Sequence, residues 1–282
     1  MKIIFFSGLE LRLFGEIVGE ILLERTPHPV IYAVVLLTGA CAAYAGIEAR
    51  ARMAEIILAI MVLPVVILAM IALLNSNFPN LQPILITPPE TFVFAMMRPE
   101  FVNYFTGLEF IWLAFPFLDN PRNGPKAAVY VTAAVGVFMA VTVALTLATF
   151  GPDNVLVQDW PVLKMMDMIA IPGVLIERQE ALVLSIWMLS VFMFSAASLF
   201  YGAVLGQGIV KKGKHLAWVI GCAAAVFCVA VFPFERDRVF YLMDRVSMVS
   251  GLSFLFGLPI LLMVAAKLRG VKQRKGDSLE LR

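Results

Sequence analysis

The run Tyr104-Phe105-Thr106-Gly107-Leu108-Glu109-Phe110 puts one carboxylate two residues after a glycine, inside the otherwise apolar stretch from Phe101 to Leu118. Gly107 weakens a helix, and Glu109 is the only ionisable group of that stretch. A local break there would free backbone amides and carbonyls to hold a small zwitterion or an ion, provided that they face a cavity. The plainer alternative makes Gly107 a helix contact and Glu109 the partner of a neighbour such as Arg12. A second group is Arg12, Glu16 and Glu20, each four residues from the next, so that a helix stacks them on one side. A third is Ser190, Phe194, Ser195, Ser198, Tyr201, Gly202 and Gly206, with small residues three or four apart. That spacing lets two helix backbones approach closely while hydroxyls bond across the contact, and packing explains it more simply than a ligand does. Pro64 and Pro259 lie inside apolar runs and are expected to kink them.

Other chemistry finds no support. There is no phosphate-binding glycine loop, no zinc signature and no nucleophile beside a base, so an enzyme is the least supported class. Cys41, Cys222 and Cys228 are odd in number and sit in apolar runs, where they act as small packing residues. His28 and His215 are far apart, and neither a metal nor a cofactor is implied.

The elements that must carry these groups are set by composition. Of 282 residues, 61% are hydrophobic and 15% charged, against about 45–50% and about 25% for globular proteins. With mean hydropathy +0.90 the chain has too few polar groups for a water-facing shell, so its solvent is the lipid bilayer. Net charge is +2 with the basic residues scattered in short loops, which excludes nucleic acid as the expected partner.

A crossing needs about 20 apolar residues. Residues 30–47, 56–74, 127–150, 181–210, 216–234 and 246–266 contain no Asp, Glu, Lys or Arg, which makes six firm spans. The stretch around Glu109 makes a seventh. The first segment is interrupted by Glu10, Arg12, Glu16 and Glu20, and the four-residue spacing of the last three makes it an eighth. A charge at the bilayer centre costs roughly 2.5–3.5 kcal/mol, so that polar face should turn to other helices or a wet cavity. The rival reading is an interfacial amphipathic helix. The expectation is therefore an all-α polytopic bundle, one integral membrane domain over 1–282. Its spans lie near 3–24, 30–47, 54–75, 101–118, 126–150, 181–208, 215–234 and 246–267, with external loops 76–100 and 151–180.

Thirteen basic residues fall in the loops and tail of one side, among them Arg50, Arg122, Lys211 and Lys267, against seven in the longer segments opposite. The bias puts both termini in the cytoplasm. Five prolines between 75 and 100 favour a stiff extended cover. In 151–180, Asp159 can cap a short helix that starts at Trp160-Pro161 and stops at Pro172-Gly173. Its Trp160, Leu163, Met166 and Ile169 are apolar at helical spacing, so it serves either as a lid over the span ends or as a passive interfacial helix.

The segment from Trp160-Pro161 through Ile171-Pro172-Gly173, then Ile176-Glu177-Arg178-Gln179-Glu180-Ala181-Leu182 and Ser185-Ile186-Trp187, resembles the signature of the endospore germination permeases. These are the B subunits of germinant receptors, within the amino acid, polyamine and organocation transporter superfamily. Thr26-Pro27, Val30-Ile31, Ala43 to Glu48 and Arg52 to Ile56 resemble the family's third-to-fifth-helix region in the same order, and Arg12, Phe14 and Glu16 resemble residues of its third helix. Val174 and Leu175 depart from it, since relatives often carry an aromatic residue there.

The resemblance implies a leucine-transporter-like fold of ten helices in two inverted repeats, with a pocket between broken first and sixth helices. Aligned by its motifs, this chain starts within the third helix, as a truncated product or a reduced homologue would. The resemblance further implies that Thr106, Gly107, Leu108 and Glu109 form the broken sixth helix. Ser195 and Ser198 would line the pocket from the eighth helix, and Gly8 and Arg12 from the third. Glu177 and Arg178 would stabilise the outer loop, with Trp160, Pro161, Pro172 and Gly173 as its signature.

The function so implied is a membrane subunit of a nutrient receptor in the inner membrane of the endospore. It would bind a small nutrient such as an amino acid and act with a large A-type membrane subunit and a C-type lipoprotein. An alternating-access amino acid permease and a membrane scaffold that binds nothing small are the alternatives.

Overall fold

The computed structural model describes residues 2–74, 76–82, 88–96, 98, 101, 107–118, 120, 123–158, 160–167, 179–211, 213–232, 235–251, 253 and 257–268. Among the described residues there is no strand. The helices are α1 (Lys2–Ile21), α2 (His28–Tyr44), α3 (Gly46–Leu74), α4 (Pro89–Met96), α5 (Glu109–Ala114) and α6 (Gly124–Phe150), then α7 (Pro152–Val155), α8 (Pro161–Asp167), α9 (Gln179–Val210), α10 (His215–Val231), α11 (Arg236–Val246) and α12 (Leu258–Leu268). The protein is an all-α membrane helix bundle. Gly46–Leu74, Gly124–Phe150 and Val183–Val210 are long and apolar enough to cross a bilayer, and His28–Tyr44 and His215–Val231 are shorter apolar helices.

Large apolar side chains such as Leu37, Ile56, Leu63, Met70, Tyr130 and Ile209 stand exposed along these helices. In water a surface of that kind would aggregate; against acyl chains it costs nothing. Helix interiors satisfy their own backbone polar groups, as a medium without water requires. Thr38, Thr132, Thr142, Thr146, Thr149 and Ser198 follow the same rule, each hydroxyl donating to the carbonyl four residues earlier.

Two compact units make up the chain: 1–88 with 136–239, and 89–135 with 240–282. In the first, α9 lies against α1, α2, α3, α8 and α10, and α1 touches α2, α9 and α10. At about 1.5 Å per residue the 32 residues of α9 reach about 48 Å, enough to serve as the spine. Phe6, Leu9, Leu11, Leu13, Phe14, Ile17 and Val18 of α1 are all buried. Thus α1 is a central helix of its unit, packed against α2, α9 and α10. The joint between α2 and α3 is a single residue wide: Ala45 closes α2 with its amide on the Cys41 carbonyl, and Gly46 turns the chain at φ 89. Only glycine adopts that angle without strain.

The short helix α8 packs against α3 and α9. Met165 is 1% exposed and joins Leu68, Ala72 and Leu145 in one cluster, whereas Leu163 is half-buried. The side chain of Met166, and Ile169 altogether, lie outside the described residues, as does the stop at Pro172-Gly173.

In the second unit, the described part of the 101–118 stretch beyond Phe101 is a turn at Gly107 and Leu108, then α5, then a 3-10 turn, Phe115–Phe117. Trp112 and Phe115 meet edge to face at 5.5 Å, and Gly124, where α6 starts, lies beneath the Phe115 ring.

Candidate ligand site

The polar face of α1 closes on protein. Arg12 Nη2 meets Glu16 Oε1 at 2.9 Å, while Arg12 Nη1 donates to the carbonyls of Ala230 (3.2 Å) and Phe232 (2.8 Å). Those carbonyls end α10, so the guanidinium caps acceptors that the helix itself leaves open and sits at the negative end of its dipole. Arg236 Nε approaches Glu16 Oε2 at 3.7 Å, and Arg236 Nη2 is hydrogen bonded to Glu20. The Arg236 guanidinium also lies 5.7 Å from the ring centre of Trp160, which precedes α8. Four charges of alternating sign therefore tie α1 to the end of α10 and to the loop helix. The four-residue spacing made the α1 half of this network legible; Arg236, more than 200 positions away, carried no sequence signal.

Glycines let the neighbours of α1 come close. A Cβ on Gly8 would stand 2.5 Å from Cβ of Val229, one on Gly15 2.2 Å from the Tyr32 ring, and one on Gly19 2.5 Å from His28. Gly8 thus lies at the contact of α1 with α10. Ser195 and Ser198 are buried on α9; Ser198 donates to the Phe194 carbonyl at 2.9 Å, while Ser195 Oγ has no hydrogen-bond partner among the described residues. Pro161 opens α8, and Lys164 N donates to Trp160 O at 2.9 Å.

Gly8, Arg12, Ser195, Ser198, Trp160 and Pro161 belong to the first unit; Gly107, Leu108 and Glu109 belong to the second. Gly107 adopts φ 106, a conformation that side chains with a Cβ rarely take. The amides of Phe110 and Ile111 donate to the Gly107 and Leu108 carbonyls, both at 3.0 Å. Glu109 follows as the first residue of α5 and is 6% exposed. Thr106, Pro172, Gly173, Glu177 and Arg178 lie outside the described residues.

Two further features of the first unit were not read from the sequence. Arg50 is 7% exposed, with its guanidinium 4.8 Å from the Phe200 ring centre and 5.3 Å from that of Tyr201. A cavity of about 100 Å³ lies between α3, α6, α8 and α9, bounded by residues such as Leu68, Phe138, Leu145 and Met165. Its polar lining residue, Thr142, has its hydroxyl on the Phe138 carbonyl, so the cavity suits aliphatic groups and offers nothing to a zwitterion.

A bundle in which charges are held inside and apolar side chains outside is a polytopic membrane protein, and its relatives say of which kind. The model of the family described as "Spore germination protein" matches residues 1–239, and the chain belongs to that family. It is 32% identical over 265 residues to "Spore germination protein YndE" of Bacillus subtilis (strain 168), covering 93% of this chain and 71% of that protein. From the same organism, "Spore germination protein B2" is 25% identical over 244 residues, 84% of this chain and 66% of its own length. "Spore germination protein KB" is 22% identical over 281 residues, 98% of this chain and 75% of its own length. The chain thus spans about two thirds to three quarters of these relatives. No solved structure matches it.

Proposed function

We propose that the protein is a membrane subunit of a nutrient germinant receptor, which binds a small molecule such as an amino acid and triggers germination. The observation that carries this reading, given the family, is the turn at Gly107 followed at once by the buried carboxylate of Glu109. A turn in a membrane protein exposes backbone amides that lipid cannot satisfy, and the carboxylate of an α-amino acid is an acceptor for them. The whole chain acts as one integral membrane domain of the leucine-transporter type, with both termini in the cytoplasm and the protein in the inner membrane of the endospore. Leu108 belongs to the same turn, and Glu177 and Arg178 steady the outer loop. A large A-type membrane subunit and a C-type lipoprotein are the companions that receive the signal. Binding must favour one arrangement of helices over another, since a ligand with equal affinity for both shifts nothing.

Spores carrying Gly107→Leu test the reading. A branched side chain at φ 106 is strained by about 1–3 kcal/mol and fills the turn. The expected result is loss of nutrient-triggered germination at unchanged protein level; unchanged germination counts against the site. Uptake of labelled amino acid into vesicles separates this reading from a permease with alternating access, for which the same turn would serve transport.

A further inference from the structure

Phe6, Glu10 and Phe14 are four apart and form one stripe on α1. Both aromatic residues of the stripe touch α9: Phe6 meets the Phe194 ring at 6.2 Å, and Phe14 meets Trp187 at 5.7 Å. Glu10, between them, therefore faces the Trp187–Phe194 stretch of α9, which contains no charged residue. Among the described residues Glu10 has neither an ion pair nor a hydrogen bond. Arg12 stands on another face of the helix and is held by Glu16 and the end of α10. From α2 the side chains at α1 are Tyr32 and His28, against Gly15 and Gly19 further along, and α10 carries no charge between Leu216 and Phe232.

Two hydroxyls of the same two helices are also unspent. Ser7 lies three residues before Glu10 and so on an adjoining position of the same face. Ser195 follows Phe194 on the facing helix. Ser7 and Ser195 are 0% and 1% exposed, and neither Oγ has a hydrogen-bond partner among the described residues. Other hydroxyls of these helices return to their own backbone, Ser198 among them; these two do not. Enclosed hydroxyls left open are costly, and so is a lone carboxylate that is partly buried, as Glu10 is. One carboxylate and two hydroxyls are a set of hard oxygen donors of net charge −1, which matches a small monovalent cation.

We propose that Glu10, Ser7 and Ser195 form a site for a small monovalent cation between α1 and α9, filled by a free alkali ion or by a small primary ammonium ion. The site does not depend on the nutrient-binding reading.

The test is the melting midpoint of the full chain in nanodiscs, at constant ionic strength, in choline chloride against sodium, potassium or methylammonium chloride. At tenfold excess over its dissociation constant the bound cation raises the wild-type midpoint by about 3–6 °C relative to choline, which is too large to enter. Glu10→Gln removes the rise while melting no lower than wild type in choline. Ser7→Ala with Ser195→Ala reduces the rise, and Glu10→Asp retains part of it, which guards against a misfolded Gln variant. A rise with sodium or potassium assigns the site to an alkali ion, and it then persists in Gly107→Leu even if nutrient sensing fails. A rise with methylammonium alone assigns it to the amine. No rise with any of the three, or an equal rise in Glu10→Gln, overturns the proposal.

Discussion

Gly8→Ala measures how closely α1 and α10 approach. The added Cβ would lie 2.5 Å from Cβ of Val229, 2.6 Å from its Cγ1 and 3.0 Å from the Val226 carbonyl oxygen. Cβ of Val229 is fixed to the α10 backbone and cannot swing aside, so the helices must part by a few tenths of an ångström or more. Overpacking of this kind costs about 1–3 kcal/mol, and exchanging glycine for alanine within a helix returns up to about 1 kcal/mol. The net expectation is destabilisation of up to about 2 kcal/mol. A Cβ added to Gly221, also on α10, would meet nothing within 4 Å, so Gly221→Ala keeps only the gain in helix propensity and should stabilise by up to about 1 kcal/mol. Thermal denaturation of both variants in nanodiscs, followed by tryptophan fluorescence, reads the two signs. At about 2–4 °C per kcal/mol the variants should diverge by several degrees. If Gly8→Ala melts at or above the wild-type temperature while Gly221→Ala behaves as expected, the close contact at Gly8 is absent and Gly8 is free to serve another role.

Arg12→Met leaves Glu16 with the weaker Arg236 contact and opens the Ala230 and Phe232 carbonyls, so it should cost at the lower end of about 3–5 kcal/mol, the network being only partly enclosed. Adding Glu16→Met should return part of that loss in a double-mutant cycle of chemical denaturation. Met165→Ala removes the anchor of α8 from its cluster with Leu68 and Leu145; a loss of about 2–5 kcal/mol locally should appear as faster protease cleavage between residues 151 and 178.

What the sequence disclosed follows from where its polar groups stand. Arg12, Glu16 and Glu20 were legible as one face because charge in an apolar helix has few tolerable directions; Arg12 and Glu16 turn to protein, while Glu20 at the helix end is exposed. Gly107 with Glu109 was legible as a weak point for the same reason, although a turn with positive φ is a statement about backbone that residue types alone do not make. The partner Arg236, the seating of Arg50 beside Phe200 and Tyr201, and the inward face of Glu10 were not legible. Each depends on register between helices far apart in sequence. Met165, the anchor of α8, was not singled out either, because in a membrane protein the hydrophobic pattern of a short helix does not tell lipid from protein. The carried-over position Gly8 shows a related limit, since a small residue beside a neighbouring backbone and one beside a ligand are the same letter.

The most direct test of the nutrient-receptor reading is the labelling rate of Leu108→Cys by a small maleimide, in membranes of spores whose native Cys41, Cys222 and Cys228 are replaced and whose nutrient response is retained. The nutrient is expected to slow labelling at position 108 in a dose-dependent way, with the concentration dependence of germination itself, and to leave a cysteine at position 216 unaffected. Labelling at position 108 that is the same with and without nutrient, in spores that still germinate, would contradict that reading.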